Sequence, residues 1–173
     1  KECLDIYPIL YASSHFQIQE VGVFLAGYIA DEYKEALDFL HDTVSLHPSW
    51  KVQETLAVSF DNYCKKIGYK NALPLIKECF EDENHNIRRA ASEGLRVWTS
   101  RPYFKDHPEV AIKLLSSHKE DDSEYVRKSA GNCLKDISKK YPELIKEELQ
   151  SWDITNKKIK QVYKLASKFI ESI

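Results

Sequence analysis

Five short matches in one register constrain this chain more than any other feature. Ile18-Gln19, Val52-Gln53, Ile87-Arg88, Val126-Arg127 and Ile159-Lys160 each set a β-branched apolar residue before a polar one, near the start of a helical stretch. The intervals between them are 34, 35, 39 and 33 residues. Each interval holds a second helical stretch, and a period of about 33–47 residues carrying two helices is the signature of an α-solenoid with HEAT-like repeats. One such pair cannot bury its apolar faces alone, so neighbouring pairs must stack to make a core.

Local patterning agrees. Phe24, Leu25, Tyr28 and Ile29 follow helical spacing, as do Leu56, Phe60 and Tyr63, and then Leu73, Ile76, Cys79 and Phe80. Pro48, Pro108 and Pro142 stand where helices can begin, because a first-turn N–H has no partner to lose. The spacing predicts helices over 2–13, 16–30, 32–46, 49–66, 70–82, 86–99, 107–118, 123–139, 142–150 and 156–171. The expected fold is an all-α superhelix of about five helix pairs, one domain over residues 1–173. Because the chain opens at Lys1 without an initiating Met, this reading leaves room for an N-terminal element ahead of it.

Composition narrows function by exclusion. Hydrophobic residues are 43% and charged residues 30%, an ordinary globular balance. No Gly-rich phosphate loop is present, which disfavours nucleotide-fold enzymes. Cys3, Cys64, Cys79 and Cys133 form no CxxC pair, and the six His never pair at i, i+4. The expectation is therefore reduced thiols, no metal, no cofactor, no membrane span and a cytoplasmic location. Net charge is −2 but unevenly spread, −7 over residues 1–86 and +5 over 87–173. The basic half could follow a phosphate backbone, although a solvated outer face is the ordinary role of such lysines.

If the helices opened by the registered pairs line one concave face, they offer it a distinct set of side chains. Trp50 and Glu54 are i, i+4, as are Arg89 and Glu93, while Lys128, Asn132 and Asp136 continue the spacing over two turns. Each has a plainer reading. Arg89–Glu93 can be an intrahelical ion pair, Asp136 can pair with Lys135 or Lys140, and Trp50 can staple a helix start.

The run from Asn86 through Ile87-Arg88-Arg89-Ala90-Ala91-Ser92-Glu93-Gly94 to Trp98 resembles the central motif of the bacterial DNA alkylation-repair glycosylases built from HEAT-like repeats. The run from Glu124 through Val126-Arg127-Lys128-Ser129-Ala130-Gly131-Asn132 to Leu144 resembles their next repeat, and Ser49-Trp50-x-Val52-x-Glu54 the one before. The similarity spans about residues 16–171. It implies a monofunctional glycosylase that excises cationic N-alkylated purines such as 3-methyladenine from double-stranded DNA, acting as a monomer. By position, Glu54 and Trp50 correspond to the acid and the aromatic residue that face the lesion's deoxyribose. Glu93 and Asp136 fall where the branch lettered C carries further functional acids. Arg88 or Arg89 falls on a double-Arg step used for backbone contact in the branch lettered D, and Arg96, Arg127, Lys128 and Asn132 complete the implied DNA-binding set. Asn132 departs from the second branch, which has a Trp there. A DNA-binding module without catalysis and a protein-interaction scaffold remain as alternatives.

Overall fold

The computed structural model describes residues 2–170 and is all-helical, with no strand among them. Its contacts divide the chain into two compact units, Lys1–Gly94 and Leu95–Ile173. The first holds α1 (Glu2–Tyr11), α2 (Phe16–Ile29), α3 (Lys34–Asp42), a 3-10 turn at Val44–Leu46, α4 (Trp50–Ile67), α5 (Tyr69–Glu81) and α6 (His85–Gly94). The second holds a 3-10 turn at Trp98–Ser100, α7 (Pro102–Asp106), α8 (Pro108–Ser117), a 3-10 turn at His118–Glu120, α9 (Glu124–Ser138), α10 (Pro142–Gln150), α11 (Lys157–Ala166) and a last 3-10 turn at Ser167–Phe169.

The repeat is written into the cross-helix bonds. In the first unit Thr55 donates to Glu20, Ser59 to the Val23 carbonyl, Asn62 to the Gly27 carbonyl, and Lys66 pairs with Asp31. These partners lie 35 or 36 residues apart. Both members of each pair advance together, so α2 and α4 are parallel neighbours and α3 returns the chain between them. In the second unit Asn156 donates to Glu120, Lys158 to Asp122 and Arg127 to Gln161, at separations of 36, 36 and 34 residues. α9 and α11 are related as α2 and α4 are.

The β-branched residues of the register are core residues. Val52, Ile87, Val126 and Ile159 are 0–5% exposed. Ile18 departs from the pattern at 41% exposed. It lies in the opening turn of α2; one turn later α1 comes close at Gly22, where a Cβ would stand 2.8 Å from the Tyr7 carbonyl oxygen.

After Val52, Ile87 and Val126 the polar residue of the pair clamps the preceding turn. Gln53 Nε2 donates to the carbonyls of Val44, Ser45 and His47 at 3.1, 3.0 and 2.8 Å. Arg88 Nη1 holds those of Asp82 and Glu83 at 2.7 and 2.9 Å, and Arg127 Nη1 those of Asp121 and Asp122 at 2.6 and 3.0 Å. Carbonyls of a turn wedged between helices need donors, since an unpaired buried polar group forfeits its hydration without compensation. Gln53 is itself 6% exposed. Gln53→Ala is therefore expected to lower stability by about 1–3 kcal/mol in urea unfolding; a loss within about 0.5 kcal/mol would show that water serves these carbonyls equally well.

Several helix ends differ from the expected ones. The stretch 32–46 breaks at Thr43 into α3 and a 3-10 turn. The stretch 86–99 ends at Gly94, and Val97 adopts a left-handed φ of 57°. That conformation is unfavourable for a β-branched residue. It turns the chain so that Trp98, 0% exposed, packs edge-on against Phe104 with ring centroids 4.7 Å apart. α7 occupies residues that none of the predicted helices covers. α11 ends at Ala166, short of the predicted 171, and residue 171 lies outside the described residues. Gly68 alone joins α4 to α5, with φ of 86°, which its missing Cβ permits. Cys64, Cys79 and Cys133 are buried and Cys3 is half-buried, and none of the four is in a disulfide among the described residues.

Candidate nucleic-acid interface

In the first unit the candidate residues gather on α4 and α6. Trp50 opens α4 and is 69% exposed, so it staples nothing. The Lys51 ammonium lies 5.9 Å from its ring centroid. Glu54 stands one turn further on, half-exposed, and its carboxylate is ion-paired with the Arg89 guanidinium of α6. The pair spans 35 residues, so the stacking interval itself brings it together. Arg89 thus bonds to a neighbouring helix, an arrangement the i, i+4 spacing with Glu93 does not reveal. Glu93 is half-buried on the last turn of α6. Arg88 is turned to the carbonyls described above.

In the second unit Asp136 is almost enclosed, with 11% of its side chain exposed. Arg96 Nε reaches one oxygen at 3.2 Å and Lys139 Nζ the other at 2.8 Å. Burial opposes ionisation of this carboxyl, but the hydrogen bonds and charges of Lys139 and Arg96 outweigh it and hold it below the usual aspartate range. Its partners are therefore neither Lys135 nor Lys140. Lys135 instead donates to Asn132 at 2.8 Å, and Lys128 pairs with Glu124 at 2.7 Å on the same helix. Arg127 is committed to its turn and to Gln161.

Lys128 and Asn132 line a groove between α9 and α11 whose other wall carries Lys157, Lys160 and Lys164. These three lysines are exposed, and none is in an ion pair among the described residues. They were absent from the expected set, yet their i, i+3, i+7 spacing marks one helix face in the sequence itself. Only the packing of α11 on α9 makes that face one side of a groove. Unpaired lysines in a row suit a chain of phosphates. Among the described residues no group of three or more His, Cys, Asp or Glu is placed to hold a metal ion, and no helix is long and apolar enough to cross a membrane.

A family model described as DNA alkylation repair enzyme matches residues 2–168, and the chain belongs to that family. It is 53% identical to AlkD2 from Streptococcus mutans, whose crystal structure superposes with a TM-score of 0.96 over 99% of this chain and 82% of that one. The crystal structure of smu.31 from Streptococcus mutans UA159 is similar at 52% identity and a TM-score of 0.96, over 98% of this chain and 84% of that one. The alkylpurine DNA glycosylase AlkC of Pseudomonas fluorescens, solved bound to DNA containing an abasic site analog, shares the fold with a TM-score of 0.71 at 23% identity, over 96% of this chain and 46% of that one. The Bacillus subtilis (strain 168) protein YhaZ is 30% identical over 166 residues, 79% of this chain. The chain spans 46% of the length of that curated relative. The all-α helical-repeat class is thus common to this chain and to solved members of the superfamily that its motifs resemble.

Proposed function

We propose that this protein acts in DNA alkylation repair as a metal-free, cofactor-free glycosylase that releases cationic N-alkylated purines, such as 3-methyladenine, from double-stranded DNA. The observation that carries the reading is Trp50, a large aromatic ring left 69% exposed one helical turn before a carboxylate. An exposed indole face attracts a cation through its quadrupole, by about 0.5–2 kcal/mol. Cleavage of an N-glycosidic bond passes through an oxocarbenium-like state, and a carboxylate aimed at the sugar stabilises that charge and orients the attacking water. Glu54 takes that role here, its carboxylate oriented by Arg89. In the first unit Glu93 acts as a further acid; in the second Asp136 does so, and the lysines between α9 and α11 take DNA phosphates. An alkylated purine that already carries positive charge is a good leaving group, so selectivity follows from the lesion's chemistry. The chain works as one domain and as a monomer in this reading.

A second reading, binding without excision, is favoured by a specific observation. Asp136 is enclosed between two cations, and Asn132 occupies the position where one branch of the superfamily carries a Trp.

Two measurements on methylated duplex DNA test the proposal. Wild-type protein should release free base; binding without release would replace the enzyme by the binding module. Lys160→Ala with Lys164→Ala should weaken binding and reduce the log–log salt slope by about one unit per lysine. These lysines are a cleaner probe than Arg88 and Arg89, which also hold structure. An unchanged slope would move the phosphate track elsewhere.

A further inference from the structure

α3 and α5 leave a cavity of about 280 Å³ between them that opens down onto α4 and α6. Its inner wall is apolar, formed by Leu37, Leu40, Leu56, Phe60 and Ile87. Its rim is acidic, with Asp38 and His41 from α3 facing Glu78 of α5 and Asp82 just beyond it. No Lys or Arg side chain lines it.

The charges at this rim are unevenly compensated. His41 sits between two carboxylates, Nδ1 2.6 Å from Asp42 and Nε2 2.8 Å from Asp82, and straps the end of α3 to the end of α5. Asp38 meets Lys34 at 2.6 Å, but that lysine side chain is 81% exposed. Glu78 is exposed and has no ion-pair partner among the described residues. Cys79, in the wall, is no nucleophile: burial, aided by Asp82 and Glu78, pushes its thiol up to about 12. The surface is therefore an apolar socket with a negative mouth, slightly below the ~300–1,000 Å³ range of pockets that hold drug-sized ligands. An anion would meet the carboxylates of Asp38, Glu78 and Asp82 at that mouth, where His41 is already held between Asp42 and Asp82. A neutral apolar molecule would satisfy the socket and leave the charge unused.

We propose that this cavity is a binding site for a small organic cation, a primary amine on an apolar body the size of a hexyl or phenylethyl group. The body fills the space over Leu56, Phe60 and Ile87, and the ammonium meets Glu78 and Asp38. The site belongs to the first unit alone and stands apart from the DNA reading.

The test uses n-hexylamine, hexan-1-ol and hexanoate, which share a body and differ in charge. In calorimetric titration of the intact protein, hexylamine is expected to bind at least tenfold more tightly than hexan-1-ol, and hexanoate not to bind. Glu78→Gln should weaken hexylamine by about fivefold and leave hexan-1-ol unchanged. Cys79→Phe, which fills the socket, should abolish both. Because that variant alters the core, Glu78→Gln at the exposed rim is the deciding one. Equal affinity for amine and alcohol, or hexylamine binding unmoved by Glu78→Gln, overturns the proposal.

Discussion

Gly94→Ala is expected to destabilise the protein by about 3 kcal/mol or more, the upper end of what overpacking costs. A Cβ at this position would lie 2.2 Å from the Ala57 carbonyl oxygen and 3.0 Å from its carbon. Both are backbone atoms of α4, so no side-chain rotation relieves the clash. The end of α6 must draw away from α4, and that separation also loosens Ile87, Ala90 and Ala91, which are 0–5% exposed. Gly131 supplies the contrast. Its added Cβ would meet Leu165 Cβ and Cδ1 at 2.9 Å and the Val162 carbonyl oxygen at 3.3 Å; a rotamer change clears Cδ1, and the overlap left at Cβ is much shallower than the one at Gly94. Gly131→Ala should therefore cost distinctly less. Urea unfolding of the two variants checks both statements, and a Gly94→Ala loss no larger than that of Gly131→Ala would show that α6 ends freely.

Glu54→Gln is expected to slow base release from methylated DNA by about 10²-fold or more, a loss of about 2.7 kcal/mol in transition-state stabilisation. The amide keeps the shape of the carboxylate and removes the charge that meets the oxocarbenium-like sugar. Affinity for DNA should be unchanged or tighter, since one negative charge leaves the surface. Folding stability should change little, because the broken partnership is with Arg89 at a half-exposed carboxylate, where such pairs contribute about 0–1 kcal/mol. Single-turnover kinetics and a binding titration on the same DNA separate these effects. A rate equal to that of the wild type would remove Glu54 from the chemistry.

Part of the candidate site was legible in the chain and part was not. That Trp50 and Glu54 share a helix face follows from their i, i+4 spacing, and α4 bears it out by placing both within its first two turns. The pairing of Glu54 with Arg89 and of Asp136 with Arg96 does not follow, because each joins residues 35 or 40 apart whose meeting depends on how helices stack. Local spacing suggests the wrong partners: Glu93 is one turn from Arg89, and Lys135 is adjacent to Asp136. The clamp made by Arg88 and Arg127 was equally hidden. A sequence shows that an arginine follows a buried β-branched residue, but not that turn carbonyls lie within its reach.

The sequence by itself determined the class of fold and its beat. Apolar periodicity near 3.6 is a property of each helix alone, and the interval of about 35 residues reappears directly in the bonds that Thr55 donates to Glu20 and Lys66 to Asp31. Burial of Val52, Ile87 and Val126 follows from the same two periods. Tertiary structure alone decided where α6 stops, which polar side chains hold turns and which face solvent, and that the lysine face of α11 becomes a groove wall with α9. The physical reason is one of range. Helix formation answers to neighbours three and four residues away, whereas the fate of a charged side chain is set by which distant donor or acceptor packing brings within about 3 Å, the reach of a hydrogen bond.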